Sequence, residues 1–171
     1  MKPQKVVLCC LLLLVSGTVL NAQSKRELRK QKKLAEYALT KKFVQNGQFV
    51  FMTQYVVTQT GDRTEAIGEG LLIEGDQTYA DFPFIGNSNR GEIGGAKGIK
   101  FTTSGTVFDA EYNDKKRKIF IKFEAEGDNE NYSVFLTILG NRRTTVQISS
   151  SARGIMSYEG KIQEVVINDS K

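Results

Sequence analysis

The apolar residues of this chain change their spacing near residue 48. Before that point, four of them recur at intervals of seven, four and four residues, which places them on one face of a helix: Leu28, Ala35, Leu39 and Phe43. Ser24 and Glu27 together form a capping box, and Asn46-Gly47 is a stop signal. The sequence therefore predicts a helix within residues 23–47 whose apolar stripe packs against the rest of the protein.

After residue 48, apolar and polar residues alternate, which is typical of β-strands with one buried face. Ile119, Ile121 and Phe123 illustrate the pattern, since Phe120 and Lys122 lie between them. Glycine, asparagine and aspartate stand where the alternation breaks, as expected of turns. The pattern predicts ten strands, near residues 49–58, 67–74, 77–82, 99–103, 106–112, 117–125, 131–139, 143–150, 154–158 and 161–167.

Short strands at this spacing, without a second helical pattern, predict a mainly β fold. We expect an antiparallel meander that closes, or nearly closes, into a barrel. No linker divides residues 48–171, so they form a single domain together with the helix of residues 23–47. Some strands carry apolar residues on both faces. Phe135, for example, is expected to point to the face opposite that of Val134 and Leu136. The second face needs cover, and the helix is the element available to cover one end or wall of the barrel.

The first 22 residues have the three parts of a secretory signal peptide. Lys2 and Lys5 form a basic start, an apolar run extends from Val6 to Val15, and the segment ends on the small residue Ala22. The apolar run is shorter than the about 20 residues that span a bilayer. We therefore expect an exported protein, periplasmic or extracellular, that is cleaved after Ala22. It is expected to be neither a lipoprotein nor, after cleavage, a transmembrane protein.

Histidine is absent from the chain, and the two cysteines, Cys9 and Cys10, lie inside the signal peptide. Without imidazole and thiol groups, the mature protein has no Ser-His-Asp or Cys-His pair and no disulfide scaffold. Carboxylate pairs such as Asp109 with Glu111 are expected to face solvent opposite lysine side chains. The sequence thus predicts a protein that is not an enzyme and that holds neither a metal nor a cofactor.

Positive charge is concentrated in the predicted helix. The chain has 24 basic and 19 acidic residues, and removal of the signal peptide with its two lysines lowers the net charge from +5 to +3. Residues 25–42 contain eight basic and two acidic side chains, so the rest of the mature protein is acidic. The helix either contacts an anionic membrane surface or an acidic partner, or packs on the protein body with its charges in water. The second interpretation is favoured, and no nucleic-acid partner is expected.

The segment from Asp81 to Gly105 holds the only proline of the mature protein and six glycines. Pro83 ends a strand, and the glycine-rich residues 86–98 then form a long loop. One interpretation is a ligand-binding mouth of the barrel, and the other is a corner whose aromatic side chains plug the barrel end. Three tyrosines either line the interior or serve the core with their hydroxyls bonded to backbone. The candidate ligand-binding residues are Phe82, Pro83, Phe84 and Ile85 for apolar contact, Asn87, Asn89 and Arg90 for polar contact, and the tyrosines Tyr79, Tyr112 and Tyr158.

Several motifs follow one another in a recognisable order. They are the helix that leads into Asn46-Gly47-Gln48-Phe49-Val50, then Ala80-Asp81-Phe82-Pro83-Phe84-Ile85-Gly86 and Lys97-Gly98-Ile99-Lys100-Phe101, and finally Leu139-Gly140-Asn141, Arg153 and Tyr158-Glu159-Gly160. Over about residues 28–164 they resemble the bacterial domain-of-unknown-function family 4251. The resemblance implies a lipocalin-like antiparallel barrel with an N-terminal helix, in an exported protein of Bacteroides or a relative. It implies no activity.

The sequence supports two hypotheses for the function. The first is an exported, non-catalytic binding module that holds a small apolar or peptidic ligand at the barrel mouth. The alternative is a structural or protein-interaction component of the cell envelope with a filled barrel core. The partner is accordingly a small molecule, a peptide or an envelope protein. An interior cavity of about 300 Å³ or more would favour the first hypothesis.

Overall fold

One helix precedes the sheet. In a computed structural model of the chain, residues 25–85, 98–127, 130–150, 152 and 154–165 are described, and for Glu69 the backbone alone. The helix, α1, spans residues 25–45 and is followed by a turn in which Gly47 has a φ of 66°. Glycine adopts a positive φ without a steric penalty, so Gly47 stops the helix where the sequence predicts.

Nine antiparallel strands form one sheet in the order β4-β3-β2-β1-β9-β8-β7-β6-β5. Two meanders, β1 to β4 and β5 to β9, are therefore joined by the pairing of the first strand with the last. The strands are β1 (Gln48–Val57), β2 (Arg63–Glu74), β3 (Gln77–Phe82), β4 (Ile99–Thr103), β5 (Asp109–Asn113), β6 (Lys118–Glu126), β7 (Asn131–Leu139), β8 (Arg143–Ser150) and β9 (Met156–Gln163).

The sheet curls so that its inner face encloses the core. β4 approaches β6 across the interior. The ring centroid of Phe101 on β4 lies 5.4 Å from that of Tyr132 on β7 and 6.5 Å from that of Phe123 on β6. Among the described strands, no hydrogen-bonded ladder joins β4 to β5. The architecture is a curled half-barrel, which confirms the predicted mainly β antiparallel fold with one N-terminal helix.

The inward side chains follow the alternation that the sequence predicts. Along β6 and β7 every second residue is buried, as Ile121 and Leu136 illustrate. These two residues are also direct cross-strand neighbours, so their side chains pack against each other on one face. The fully buried large side chains include Phe49, Phe51, Leu71, Ile73, Phe82, Ile99, Ile119, Leu136, Ile138, Ile148, Tyr158 and Ile162.

Gly160 lies inside the last strand and not at a turn. The sequence predicts two strands, 154–158 and 161–167, whereas β9 runs unbroken from Met156 to Gln163. β1 packs so close to β9 that a Cβ atom on Gly160 would overlap the carbonyl oxygen of Met52. The glycine is required for this close approach of two backbones, a role that the sequence pattern does not distinguish from a turn.

α1 closes one end of the half-barrel. The hydroxyl of Tyr37 donates a hydrogen bond of 2.7 Å to the carboxylate of Asp114, in the turn between β5 and β6. The hydroxyl of Thr40 donates one of 2.9 Å to the carbonyl oxygen of Gly140, between β7 and β8. Lys41 also bonds Asp114, at 2.8 Å. These contacts determine which face of α1 meets the turns.

The docked face is not the predicted apolar stripe. Tyr37, Thr40 and Val44 are buried, whereas Leu28 and Leu39 are exposed. The prediction that the stripe packs on the body is wrong for Leu28, Ala35 and Leu39, and only Phe43 packs against the core. The reason is chemical: the turns present a carboxylate and a carbonyl oxygen, which hydroxyl groups bind and leucine side chains do not.

Candidate functional site

A groove of about 680 Å³ lies on the outer face of the sheet. Side chains from six strands line it, from β1 and β2 through β9 and β8 to β7 and β6. They reach the groove because alternate residues of each strand point away from the core. We call this depression the outer groove; its main side chains are Tyr55, Arg63, Lys118, Arg143, Glu159 and Lys161.

The outer groove is positively charged, with four basic side chains and one carboxylate. Arg63 donates to Glu159 at 2.8 Å and stacks on Tyr55, its guanidinium carbon 3.7 Å from the ring centroid. Arg143 and Lys161 lie directly opposite each other on β8 and β9. Neither forms an ion pair within the described part of the chain. Like charges held side by side repel each other, so an anionic ligand would relieve this repulsion.

A partly exposed aromatic pair lies beside the outer groove. The rings of Phe120 and Phe135 are nearly parallel, with an interplanar angle of 16° and centroids 6.1 Å apart. Phe120 is paired with Thr137, which lines the groove, so the two features are continuous. Phe135 is 37% exposed. The aromatic pair and the outer groove together are called the outer-face strip.

One signal of this strip is visible in the sequence, the apolar residues on the second face of β7. The helix is predicted to cover one end or wall of the barrel, and α1 covers the end at which Asp114 and Gly140 lie. Phe135 is left exposed on the wall. The groove itself carries no sequence signal, because residues as distant as Arg63 and Lys161 meet only through strand order and register.

At the predicted mouth, the structure brings three candidate residues together. Phe82 and Tyr158 are fully buried, and their ring centroids are 4.3 Å apart. The hydroxyl of Tyr158 donates a hydrogen bond of 2.8 Å to the carbonyl oxygen of Pro83. Aromatic packing and a backbone hydrogen bond are what the plugged-corner interpretation expects of these residues.

The neighbouring candidates lie nearer the surface. Phe84 is partly buried and packs against the core, while Pro83 and Ile85 have exposed side chains. The predicted polar contacts, Asn87, Asn89 and Arg90, lie outside the described residues. The apolar half of the predicted mouth is thus present at the end of β3, and its polar half stays a prediction.

Two of the predicted tyrosines lie elsewhere. Tyr79 is on the outer face of β3, where its hydroxyl bonds Gln77 at 2.8 Å. Its expected interior position is therefore wrong, because the alternation along β3 points Phe82 inward and Tyr79 outward. Tyr112 lies beneath α1, with the Lys41 ammonium 5.2 Å from its ring centroid. Only Tyr158 of the three is beside the predicted mouth.

Among the described residues, Tyr37 and Asp114 have clearly shifted pKa values, and both hold α1 in place. Burial, together with the hydrogen bond to Asp114, raises the pKa of Tyr37 to about 12. Hydrogen bonds from Lys41 and Tyr37 lower the pKa of Asp114 below its ordinary value. The shifts follow from helix docking, so they describe a structural contact and not a reactive centre.

Neither a metal-binding cluster nor a membrane-spanning helix is present within the described ranges. No group of three or more acidic, histidine or cysteine side chains there is arranged to hold a metal ion. In the same part of the chain, no helix has the length and apolar character needed to cross a membrane.

Comparison with known proteins places the chain in a family. The model of the domain of unknown function DUF4251 matches residues 31–162. The chain belongs to this family. A crystal structure of a DUF4251 family protein from Bacteroides eggerthii is similar in fold to this DUF4251 chain, with a TM-score of 0.60, 18% sequence identity, and coverage of 76% of this chain and 88% of that one. The search of curated proteins finds no match.

The family match confirms the resemblance inferred from the sequence motifs. The matched residues, 31–162, extend from within α1 nearly to the end of β9, so they cover both the predicted mouth and the outer-face strip. DUF4251 is a family of unknown function. The function of this chain is accordingly argued from its own surfaces.

Proposed function

We propose that the protein is exported and acts, without catalysis, as a protein-interaction module of the cell envelope. The observation that carries the proposal is the outer-face strip, where the positively charged groove adjoins the partly exposed Phe120–Phe135 pair. This is the second of the two functions that the sequence suggests, with the binding surface assigned to the outside of the sheet.

The chemistry of the strip indicates the kind of partner. Tyrosine, phenylalanine and arginine are enriched at protein interfaces and supply most of their binding energy. The strip combines Tyr55, Phe120 and Phe135 with Arg63 and Arg143. Its matching partner is a protein surface that presents carboxylates to the groove and an apolar side chain to the aromatic pair.

The packing at the end of β3 supports a surface function. Phe82 and Tyr158 occupy the interior there, and the hydrogen bond to Pro83 ties the two strands together. A ligand entering at this point would have to displace a fully buried ring. Binding on the outer face needs no such rearrangement.

Export rests on the first 22 residues, which lie outside the described part of the chain. We expect intact-mass measurement of the protein purified from its producing organism to place the N-terminus at Gln23. Recovery of a protein that retains Cys9 and Cys10 would contradict export by a cleaved signal.

The interaction is tested with charge-neutral variants of the strip. A tagged Arg143→Gln, Lys161→Gln double variant is compared with the wild type and with Lys100→Gln, which removes an exposed charge on β4. After chemical crosslinking in the producing organism, quantitative mass spectrometry of co-purified proteins is expected to show a partner lost from the double variant and retained by the control. Equal recovery in all three would contradict the proposal.

The mouth is a second candidate, favoured by one observation. The hydroxyl of Thr53 is buried and has no hydrogen-bond partner among the described residues. Both Thr53 and the Phe82 ring border Gly70, so the unsatisfied hydroxyl lies at the base of the predicted mouth. An unpaired buried hydroxyl is destabilising, and a ligand that bonds it would remove that penalty. Binding of such a ligand would require Phe82 to move.

A further inference from the structure

We infer that α1 docks the protein on the surface of an anionic phospholipid bilayer. The inference is independent of the proposed protein partner, because it rests on the side of α1 that faces away from the sheet. It begins from the docking of α1, in which the side carrying Tyr37 and Thr40 is fixed to the turns. What remains is a solvent-facing side with an unusual composition.

Two leucines are exposed on that side, Leu28 at 67% and Leu39 at 61%. Leu34 is three residues before Tyr37 and therefore lies on the flank of the docked face. Leu39 follows Tyr37 by two residues and so lies about 200° around the helix from it, well away from the docked face. Transfer of leucine side chains from water into an apolar phase lowers their free energy. Because the docking bonds prevent α1 from rotating them inward, only an external surface can cover them.

The charges around the leucines specify the surface. Lys25, Arg29, Lys32 and Lys42 are exposed on α1, and its acidic residues are two. Lys33, by contrast, lies on the side of α1 towards the sheet, where it shares a depression of about 250 Å³ with Glu36, Lys116 and Arg117. Leucines flanked by lysine and arginine are typical of helices that lie in the interface of anionic membranes.

Other occupants fit these observations less well. A second copy would bring two helices of the same positive charge face to face. A protein partner would bury about 800 Å² on each side in an interface of standard size, more than two leucines on one helix provide. A bilayer interface needs only shallow insertion of a few apolar side chains together with electrostatic attraction.

The test uses the secreted protein, with its N-terminus at Gln23 verified by mass spectrometry. It is sedimented with vesicles of phosphatidylcholine, with or without a quarter of phosphatidylglycerol. We expect binding to the anionic vesicles only, and its loss as ionic strength rises. Absence of binding, or equal binding to the neutral vesicles, would overturn the inference.

Matched variants distinguish binding through α1 from nonspecific adsorption of exposed apolar side chains. Leu28→Ser, Leu39→Ser is expected to weaken binding to the anionic vesicles by about tenfold. The control Ile67→Ser, Val107→Ser removes two exposed apolar side chains of the body, 77% and 85% exposed, and is expected to bind like the wild type. Equal effects of both variants, or concentration-dependent self-association through the leucines, would contradict membrane docking. All four positions are exposed, so folding is preserved and is checked by circular dichroism.

Discussion

The hydroxyl of Tyr158 lies 2.8 Å from the carbonyl oxygen of Pro83, to which it donates a hydrogen bond. This bond joins β9, the last strand, to the residue that follows the end of β3, and it holds the Tyr158 ring against Phe82. Tyr158 and Pro83, both predicted to contact a ligand, thus form a hydrogen bond with each other. A ligand entering here would have to break this contact, which supports a binding surface on the outside of the sheet.

Replacing Tyr158 with phenylalanine tests how firmly the end of β3 is held. We expect Tyr158→Phe to lower the free energy of unfolding by about 1 kcal/mol, because a buried hydrogen bond is lost while the ring remains. Tyr79→Phe is the control, since Tyr79 bonds Gln77 at the surface, and its effect is expected to be near zero. Urea denaturation of both variants gives the comparison. Equal effects would mean that the Pro83 bond contributes nothing.

Two glycines that face the same residue are expected to respond oppositely to alanine. Gly160 on β9 and Gly68 on β2 are both paired with Thr53. A Cβ atom at Gly160 would overlap the Met52 carbonyl, whereas one at Gly68 meets nothing within 4 Å. Gly160→Ala is expected to lose about 3 kcal/mol or more, and Gly68→Ala to stay within about 0.5 kcal/mol of the wild type. Thermal or urea unfolding checks both, and a tolerated Gly160→Ala would show that β1 and β9 are farther apart.

The docking of α1 is expected to depend on pH at both extremes. The lowered pKa of Asp114 means that its contribution is present above the ordinary value of 3.8 and is lost as the pH falls through the lowered value. The raised pKa of Tyr37 means that its contribution is present below the ordinary value of 10.0 and is lost as the pH rises towards about 12. Stability is therefore expected to fall on both sides of a broad plateau.

Single variants show which residue causes the loss of stability at each end of the pH range. The stability difference between wild type and Asp114→Asn should shrink as the solution becomes strongly acidic. The difference between wild type and Tyr37→Phe should shrink above pH 10.0, where only the wild type ionises at that position. Urea unfolding across the pH range measures both. Differences that do not change with pH would contradict the shifted pKa values.

Arg143 is expected to oppose folding slightly while serving binding. It lies directly opposite Lys161, and like charges at such positions repel. Arg143→Gln should therefore raise the free energy of unfolding by roughly 0.2 to 0.5 kcal/mol. Lys100→Gln removes an exposed ion pair with Asp81 and should give no gain. Denaturation at low and high salt makes the comparison, and a loss of stability in Arg143→Gln would show that the charge is compensated.

The secondary-structure elements and the fold class can be predicted from local sequence, whereas the contacts between elements cannot. The period of two along β6 and β7 predicts both strands and their buried faces, including Ile121 and Leu136. The helix is predicted as well, but its docked face is not. An apolar pattern points to Leu28 and Leu39, and the hydroxyl of Tyr37 decides the orientation through a turn 77 residues away.

The candidate surfaces show the same division. The sequence marks the end of β3 because proline and aromatic residues cluster there, and part of that cluster turns out to be core. The outer groove is built from side chains of six strands, and Arg143 meets Lys161 only in the observed register. Such a site becomes visible once the strand order is known.

Site-specific photo-crosslinking tests the central claim most directly. A benzophenone amino acid is placed at Phe135 on the outer-face strip or at Ile85 beside the predicted mouth, both of which are partly exposed. In the producing organism, illumination is expected to join a defined envelope protein to the variant at position 135, and this adduct is expected to be lost when Arg143→Gln and Lys161→Gln are added. An adduct or bound ligand captured at position 85 and not at 135 would contradict the account and favour the mouth.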